Sequence, residues 1–269
     1  MANIYVDGEL AVGANNGSSW GNAYKGAVGL QTAFDAAVAG DIIHITRTFT
    51  LVATIDIDQA SGTTMQPVRV LGYNYNNGNP IIDGTFATMD ANSAVNNCIL
   101  GNNINCWTME NIEFKNALQD NAYVQIASLN QWIFINCISH HAGLGGVSGS
   151  GWGNNAADMW GYTSFVLCKA YSNLDNGIYA YRSNFFGCSA YNNGNHGFGG
   201  DYTNFNNCLS YSNADTGFYL GSVEHIISNC VSDGNNRGIY ITSTDGPVII
   251  VGCRITNNIT SGVAGPPGN

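Results

Sequence analysis

The chain has 269 residues, 34 of them Gly and only 10% of them charged, with a formal net charge of −10 and a pI near 4.6. Eight Lys and Arg against eighteen acidic residues exclude a nucleic-acid surface, which needs clustered cations. No apolar run reaches bilayer length, which excludes membrane insertion, and no charge run or Pro-rich linker divides the chain into domains.

Met1-Ala-Asn-Ile-Tyr-Val-Asp-Gly8 lacks the basic start and apolar stretch of a secretory leader, so either a leader has been removed or, as expected here, synthesis is cytoplasmic. Ile4 begins a predicted strand and residues 13–21 a loop. Leu30, Phe34 and Val38, flanked by Ala33 and Ala37, then recur at helical spacing until Gly40. Short alternating or apolar runs follow at residues 42–45, 54–57, 68–71 and 81–82, separated by Gly, Asn and Pro. Trp107-Thr-Met-Glu-Asn-Ile112 aligns with Trp132-Ile-Phe-Ile-Asn-Cys137, which sets Ile112 against Cys137.

From Ser164 to Asn258 one unit recurs five times at nearly even spacing, centred on Cys168, Cys188, Cys208, Cys230 and Cys253. Five places after each Cys stands an Asn: Asn173, Asn193, Asn213, Asn235 and Asn258. A short fixed period means stacked supersecondary units that bury their apolar faces on one another. With few Leu and with β-branched and aromatic residues alternating with polar ones, the unit is a coil of strands. The five Cys then form one inward column, which the alignment above extends back to Ile112. Parallel rungs about 4.8 Å apart hold Cβ atoms farther apart than the roughly 3.8 Å of a disulfide, so the thiols are expected free, as small core hydrophobes.

The Asn-Cys units at Asn136-Cys137, Asn207-Cys208 and Asn229-Cys230, with the Asn-Gly-Ile-Tyr turn from Asn176 to Tyr179, resemble the right-handed parallel β-helix of the pectin-lyase-like superfamily. The resemblance implies an all-β, single-stranded right-handed solenoid of roughly nine coils, with a short N-terminal capping helix. Residues 1–41 would form the opening strand, loop and helix, 42–259 the coils, and 260–269 a flexible tail without a cap. That superfamily holds lyases, hydrolases and phage spikes, so the fold alone does not assign a function. Its lyases pair Ca²⁺-binding Asp with a basic residue, and its polygalacturonases carry Asp, His and an Arg-x-Lys motif; neither set is placed on this sequence.

Three groups of residues could carry chemistry. Cys137 and Cys168 stand farther apart than any later pair of the column, and the excess, expected as a flank loop, holds His140, His141, Trp152, Asp158 and Trp160. Indole faces there would receive sugar rings and the His would act as acid or base; the competing reading has the Trp anchoring a Gly-rich loop. The turn before each repeated Gly forms a second column with Asp175, His196, Asp215 and Arg237, where Asp175 and Asp215 stand two rungs apart. Such carboxylates could serve a glycosidase, an oxygen-rich column could hold Ca²⁺, and Asp and Asn also simply cap tight turns. No dedicated metal site is read otherwise. Third, Tyr171, Tyr191 and Tyr211 lie three places after their Cys and point outward, as an aromatic stripe for glycan, for a partner subunit or for ladder stacking alone.

The expectation for function is a virion-associated or surface structural protein, such as a phage spike, fibre or decoration subunit, located on a virion or extracellular surface. It would form a homo-oligomer, most simply a trimer, with other virion proteins and a surface glycan as further partners. The alternative is a polysaccharide lyase or glycoside hydrolase.

Overall fold

The computed structural model describes residues 1–265 apart from 59–61, 77–78, 82–85, 103–105, 127–130, 144–149, 157–161, 222–223 and 244–245. Successive coils each contribute a strand to three parallel sheets. The first sheet runs from Tyr24–Lys25, paired with Asn3–Asp7, to Val248–Val251, the second from Thr48–Thr50 to Arg254–Thr256, and the third from Ile55–Ile57 to Ser261–Ala264. Nine described strands lie in each of the second and third sheets, in line with the roughly nine coils expected. The antiparallel strand pair among them is the hairpin of Val68–Asn76 with Asn79–Ile81.

Register follows from the repeat. Phe165 pairs with Phe185 and Phe185 with Phe205, so their inward rings stack at 5.0 and 4.7 Å in the core. Such pairs add about 0.5–1.5 kcal/mol each beyond the area they bury. Ile112 and Cys137 through Cys230 form the expected inward column, each Cys at most 2% exposed, with Cys253 half-buried and all eight thiols free. The residue before the column turns the chain from the first sheet into the second with positive φ: Asn111, Asn136, Leu167, Gly187, Asn207, Asn229 and Gly252. Gly and Asn dominate there because they tolerate the left-handed region best.

At the turn into the third sheet the five repeated Asn bond to one another, from Asn173 through Asn193, Asn213 and Asn235, all buried, to half-buried Asn258. The N-terminal end is closed by helix α1, Gly26–Ala36, which buries Leu30, Ala33 and Phe34 and lays the Phe34 ring on Trp107 at 5.3 Å. The helix is shorter than its spacing predicts: Ala37 is extended, and Val38, 61% exposed, lies off the core face.

Two expectations are corrected. Residues 260–269 do not all form a loose tail, because Ser261–Ala264 pairs with Arg237–Ile241 and completes the third sheet. An unpaired sheet edge recruits backbone whatever the side chains. Nor is the stretch after His140 wholly a flank loop, since Trp152–Ala156 is the third-sheet strand of its coil, paired with Ala122–Ile126 and Ile178–Ala180. Among the described residues no helix is long and apolar enough to cross a membrane.

Candidate functional site

Three residues past the Ile/Cys column, the second sheet turns a line of side chains outward. Asp90, Lys115, His140, Tyr171, Tyr191, Tyr211 and Asp233 are successive partners in its ladder. Glu113 stands two places before Lys115 on the same strand and face. Lys115 Nζ lies 3.8 Å from Asp90 Oδ2 and 3.6 Å from Glu113 Oε2, so one ammonium is held between two carboxylates. Thr88 donates its hydroxyl to Glu113 at 2.8 Å, and Asn116 its amide to Asp90 at 2.8 Å.

His140 is buried and its Nε2 meets Glu113 Oε1 at 3.1 Å, while its Nδ1 faces Nδ1 of His141. The bond to His140, helped by Thr88 and Lys115 against partial burial, holds the Glu113 carboxyl down to about 2. With Glu113 ionised, His140 donates from Nε2, and in the tautomer that carries its proton there Nδ1 accepts. The proton between the two imidazoles then belongs to His141 Nδ1, and the lone pair of His141 Nε2 is left open. His141 is exposed, and its pKa is lowered by partial burial and by His140 and Lys115, so it is neutral at neutral pH. Its φ of 56° is the left-handed turn made at the same place in neighbouring coils by Asn116, Ser172, Asn192 and Ser212. A carboxylate orienting one imidazole, which orients a second with a free nitrogen, is an arrangement that can accept a proton as a general base does.

The tyrosines extend this line. His140 stacks on Tyr171 at 4.7 Å, Tyr171 on Tyr191 at 5.1 Å, and Tyr191 on Tyr211 at 4.7 Å, all within 9° of parallel. Rings stacked this way cover one another's faces, so the stripe offers edges and hydroxyls to a ligand. Burial, and then Glu113, push the Tyr171 phenol above its ordinary value.

The second predicted column is assembled at the turn into the third sheet, apart from the relay. Asp175 accepts amide bonds from Asn195 and Asn176 at 2.9 and 3.1 Å, and Asp215 one from Asn236 at 3.2 Å. Asp215 also faces His196 Nδ1 at 3.7 Å and Arg237 Nε at 3.5 Å. These carboxylate oxygens meet N–H donors and cations, which does not fit a Ca²⁺ ligand set. Among the described residues no three His, Cys, Asp or Glu converge as metal ligands.

Of the residues expected to bind sugar, Trp152 is 1% exposed, packed among Phe114, Phe134 and Phe165 at ring distances of 6.3, 6.0 and 5.8 Å. It is a core residue, placed inward by the strand that the loop reading overlooked. Asp158 and Trp160 lie outside the described residues. Sequence reading missed Asp90, Glu113 and Lys115. Counting three places on from Ile112, as from each Cys, would have reached Lys115.

Comparison with curated proteins gives no match. Among solved structures, the pectate lyase Pel9A aligns at 19% identity with a TM-score of 0.64, over 91% of this chain and 69% of its own. XylC in complex with xylose aligns at 10% identity and 0.66, over 98% and 68%, and a rhamnogalacturonan lyase at 15% and 0.55, over 96% and 87%. At these identities the likeness is one of fold. The model of the Pel9A-like right-handed β-helix region matches residues 11–261, nearly the whole chain, and the protein belongs to that family.

Proposed function

We propose that the protein cleaves an acidic polysaccharide by β-elimination on the outer face of the second sheet. The observation that carries this reading is the relay Glu113–His140–His141 beside Lys115. Lys115 would meet the uronate carboxylate and stabilise the charge that develops on it. His141 Nε2 would take the proton from the carbon next to that carboxylate. The freed pair forms the carbon–carbon double bond as the glycosidic C–O bond breaks, and the leaving oxygen takes its proton from the Tyr171 phenol. Water then reprotonates Tyr171 and relieves His141. The rings of His141 and Tyr171 lie 6.5 Å apart, so base and acid address the same sugar linkage. The raised phenol pKa keeps Tyr171 protonated until the leaving group needs it.

The pectate lyase and rhamnogalacturonan lyase among the similar folds support the carbohydrate-active class. The virion-associated class weighed on the sequence draws no such support from them.

The test is formation of the conjugated double bond, read by ultraviolet absorbance, on polygalacturonate, rhamnogalacturonan and alginate. Activity on at least one is expected, with a loss of about 10²-fold or more in His141→Gln, in line with removal of a general base. It should rise with pH through a pKa below the ordinary imidazole value, because the neutral form of His141 is the base. No double bond on any of the three, or undiminished activity in His141→Gln, would overturn the reading.

A further inference from the structure

On the outer face of the third sheet, tyrosine and glycine alternate coil by coil. Tyr123, Gly153, Tyr179, Gly199 and Tyr219 are successive ladder partners, and Tyr240 follows. Neither Gly153 nor Gly199 has a left-handed backbone, so neither is there for its φ. What the missing side chain leaves is space for a ring. A Cβ on Gly199 would meet Tyr179 Cδ2 at 2.6 Å and Cε2 at 2.9 Å, and one on Gly153 would meet Asp120 Oδ2 at 2.6 Å and Tyr123 Cδ2 at 2.9 Å. Glycine weakens a strand interior, and there it often marks a close approach by another group.

Each of these two tyrosines therefore leans over the next coil. The consequence is opposite to that on the second sheet. Tyr179 and Tyr219 lie 6.4 Å apart at 37°, and Tyr219 and Tyr240 6.0 Å apart at 46°, so these rings do not close one another's faces. The rings of Tyr123 and Tyr179 are two coils apart, roughly 10 Å, close to the reach of an extended disaccharide.

Two of these rings carry a cover on one face: His196 stacks on Tyr219 at 4.4 Å and 10°, and the Arg237 guanidinium lies 4.5 Å over Tyr240. Tyr179 meets the neighbouring Tyr181 ring edge-on, at 5.7 Å and 72°. The charge around them is mainly acidic. Asp120, Asp175 and Asp215 line the adjoining turn, and Arg237 is already engaged by Asp215 at 3.5 Å.

We propose that this face is a second carbohydrate surface, separate from the relay, on which a neutral polysaccharide chain docks along the solenoid axis. Apolar faces of pyranose rings would lie on the tyrosine rings, above all those of Tyr123 and Tyr179, and sugar hydroxyls would meet the phenol groups. A polyuronate would meet like charge along the border and is disfavoured.

Affinity electrophoresis of the whole protein through gels containing xylan, galactomannan, hydroxyethylcellulose or polygalacturonate tests this. Retardation by at least one neutral polymer is expected. It should weaken about tenfold in Tyr179→Ala and in Tyr123→Ala, and persist in Tyr179→Phe and in Phe186→Ala, an exposed residue of the first sheet, with circular dichroism unchanged. If an alanine variant fails to fold, Gly199→Ala provides a second reading, because it displaces the Tyr179 ring while keeping the residue. The proposal is overturned if no neutral polymer retards the parent, if the alanine variants are retarded as strongly, or if polygalacturonate is held through the same two tyrosines more tightly than any neutral polymer.

Discussion

The side-chain oxygen of Asn235 accepts two bonds from Asn213, one from its backbone N–H and one from its amide, both at 2.9 Å. Asn213 does the same for Asn193 at 3.1 and 2.9 Å. Each amide also donates to a carbonyl of the preceding coil, that of Asn213 to Ala190 at 3.2 Å. The turn is thus closed by side chains where the backbone ladder is interrupted, and one missing amide strands donors and acceptors on both sides. Asn213→Ala should cost about 2–4 kcal/mol in urea unfolding, from buried polar groups left unpaired. Asn258→Ala should cost clearly less, because Asn258 ends the ladder. Equal costs would mean that the bonds do not act along the stack.

Two carboxyl groups should bend the stability profile in opposite directions. The Glu113 pKa is about 2 in the fold, against an ordinary value of 4.5, so the folded protein binds that proton more weakly than the unfolded chain. Its contribution is fully present above 4.5 and is lost as pH falls toward 2. Asp120, raised to about 6 by burial and by Asp175 against a bond from the Ser150 N–H, behaves oppositely: its contribution is present below 3.8 and is lost as pH rises through 6. Thermal unfolding across this range should show Glu113→Gln flattening the acid limb and Asp120→Asn exceeding the parent at pH 7. An Asp120→Asn variant no more stable than the parent at pH 7 would contradict the second assignment.

The thiol column has a chemical signature. Burial pushes the Cys98 thiol up to about 12 and those of Cys168 and Cys188 well above the ordinary value, so almost no thiolate is present at neutral pH. Only half-buried Cys253 should react with a disulfide reagent in the native protein, and all eight should react after denaturation. Recovery of intact disulfides from the denatured chain would refute this arrangement.

Leu167 is the exception in a column otherwise made of Asn and Gly. Its φ is 55° and its side chain is 52% exposed, so it carries left-handed strain with little burial in return. Leu167→Gly or Leu167→Asn should stabilise by about 1 kcal/mol, visible as a higher urea midpoint. A lower midpoint would show that the exposed leucine makes contacts worth more than the strain.

The solenoid was legible because its coils share one length, and the Cys, Asn and Tyr columns appear in register wherever that length is kept. Legibility failed where a coil is long or its strand is poor in β-formers. Gly151-Trp-Gly-Asn-Asn-Ala156 has no alternation to announce a strand; Trp152–Ala156 is extended because Ala122–Ile126 and Ile178–Ala180 offer it an edge on each side. The relay was half visible. His140 and His141 stood out as a pair, but Glu113 and Lys115 sit one coil upstream, where the column residue is Ile112 and not Cys. The leaning of Tyr179 over Gly199 could not be read from spacing, since Tyr191 over Tyr211 has the same spacing and a different posture.

Between Phe165 and Phe205 the step is constant, with Asn184 on Asn204 and Tyr191 on Tyr211. Excising residues 184–203 would join Ser183 to Asn204, and the ring, thiol and amide columns would each resume one place along with like meeting like. The molecule is in this sense graduated. The length of its outer faces is a whole number of coils, each roughly 4.8 Å, and natural or engineered variants can lengthen or shorten it by one graduation without redesigning a core.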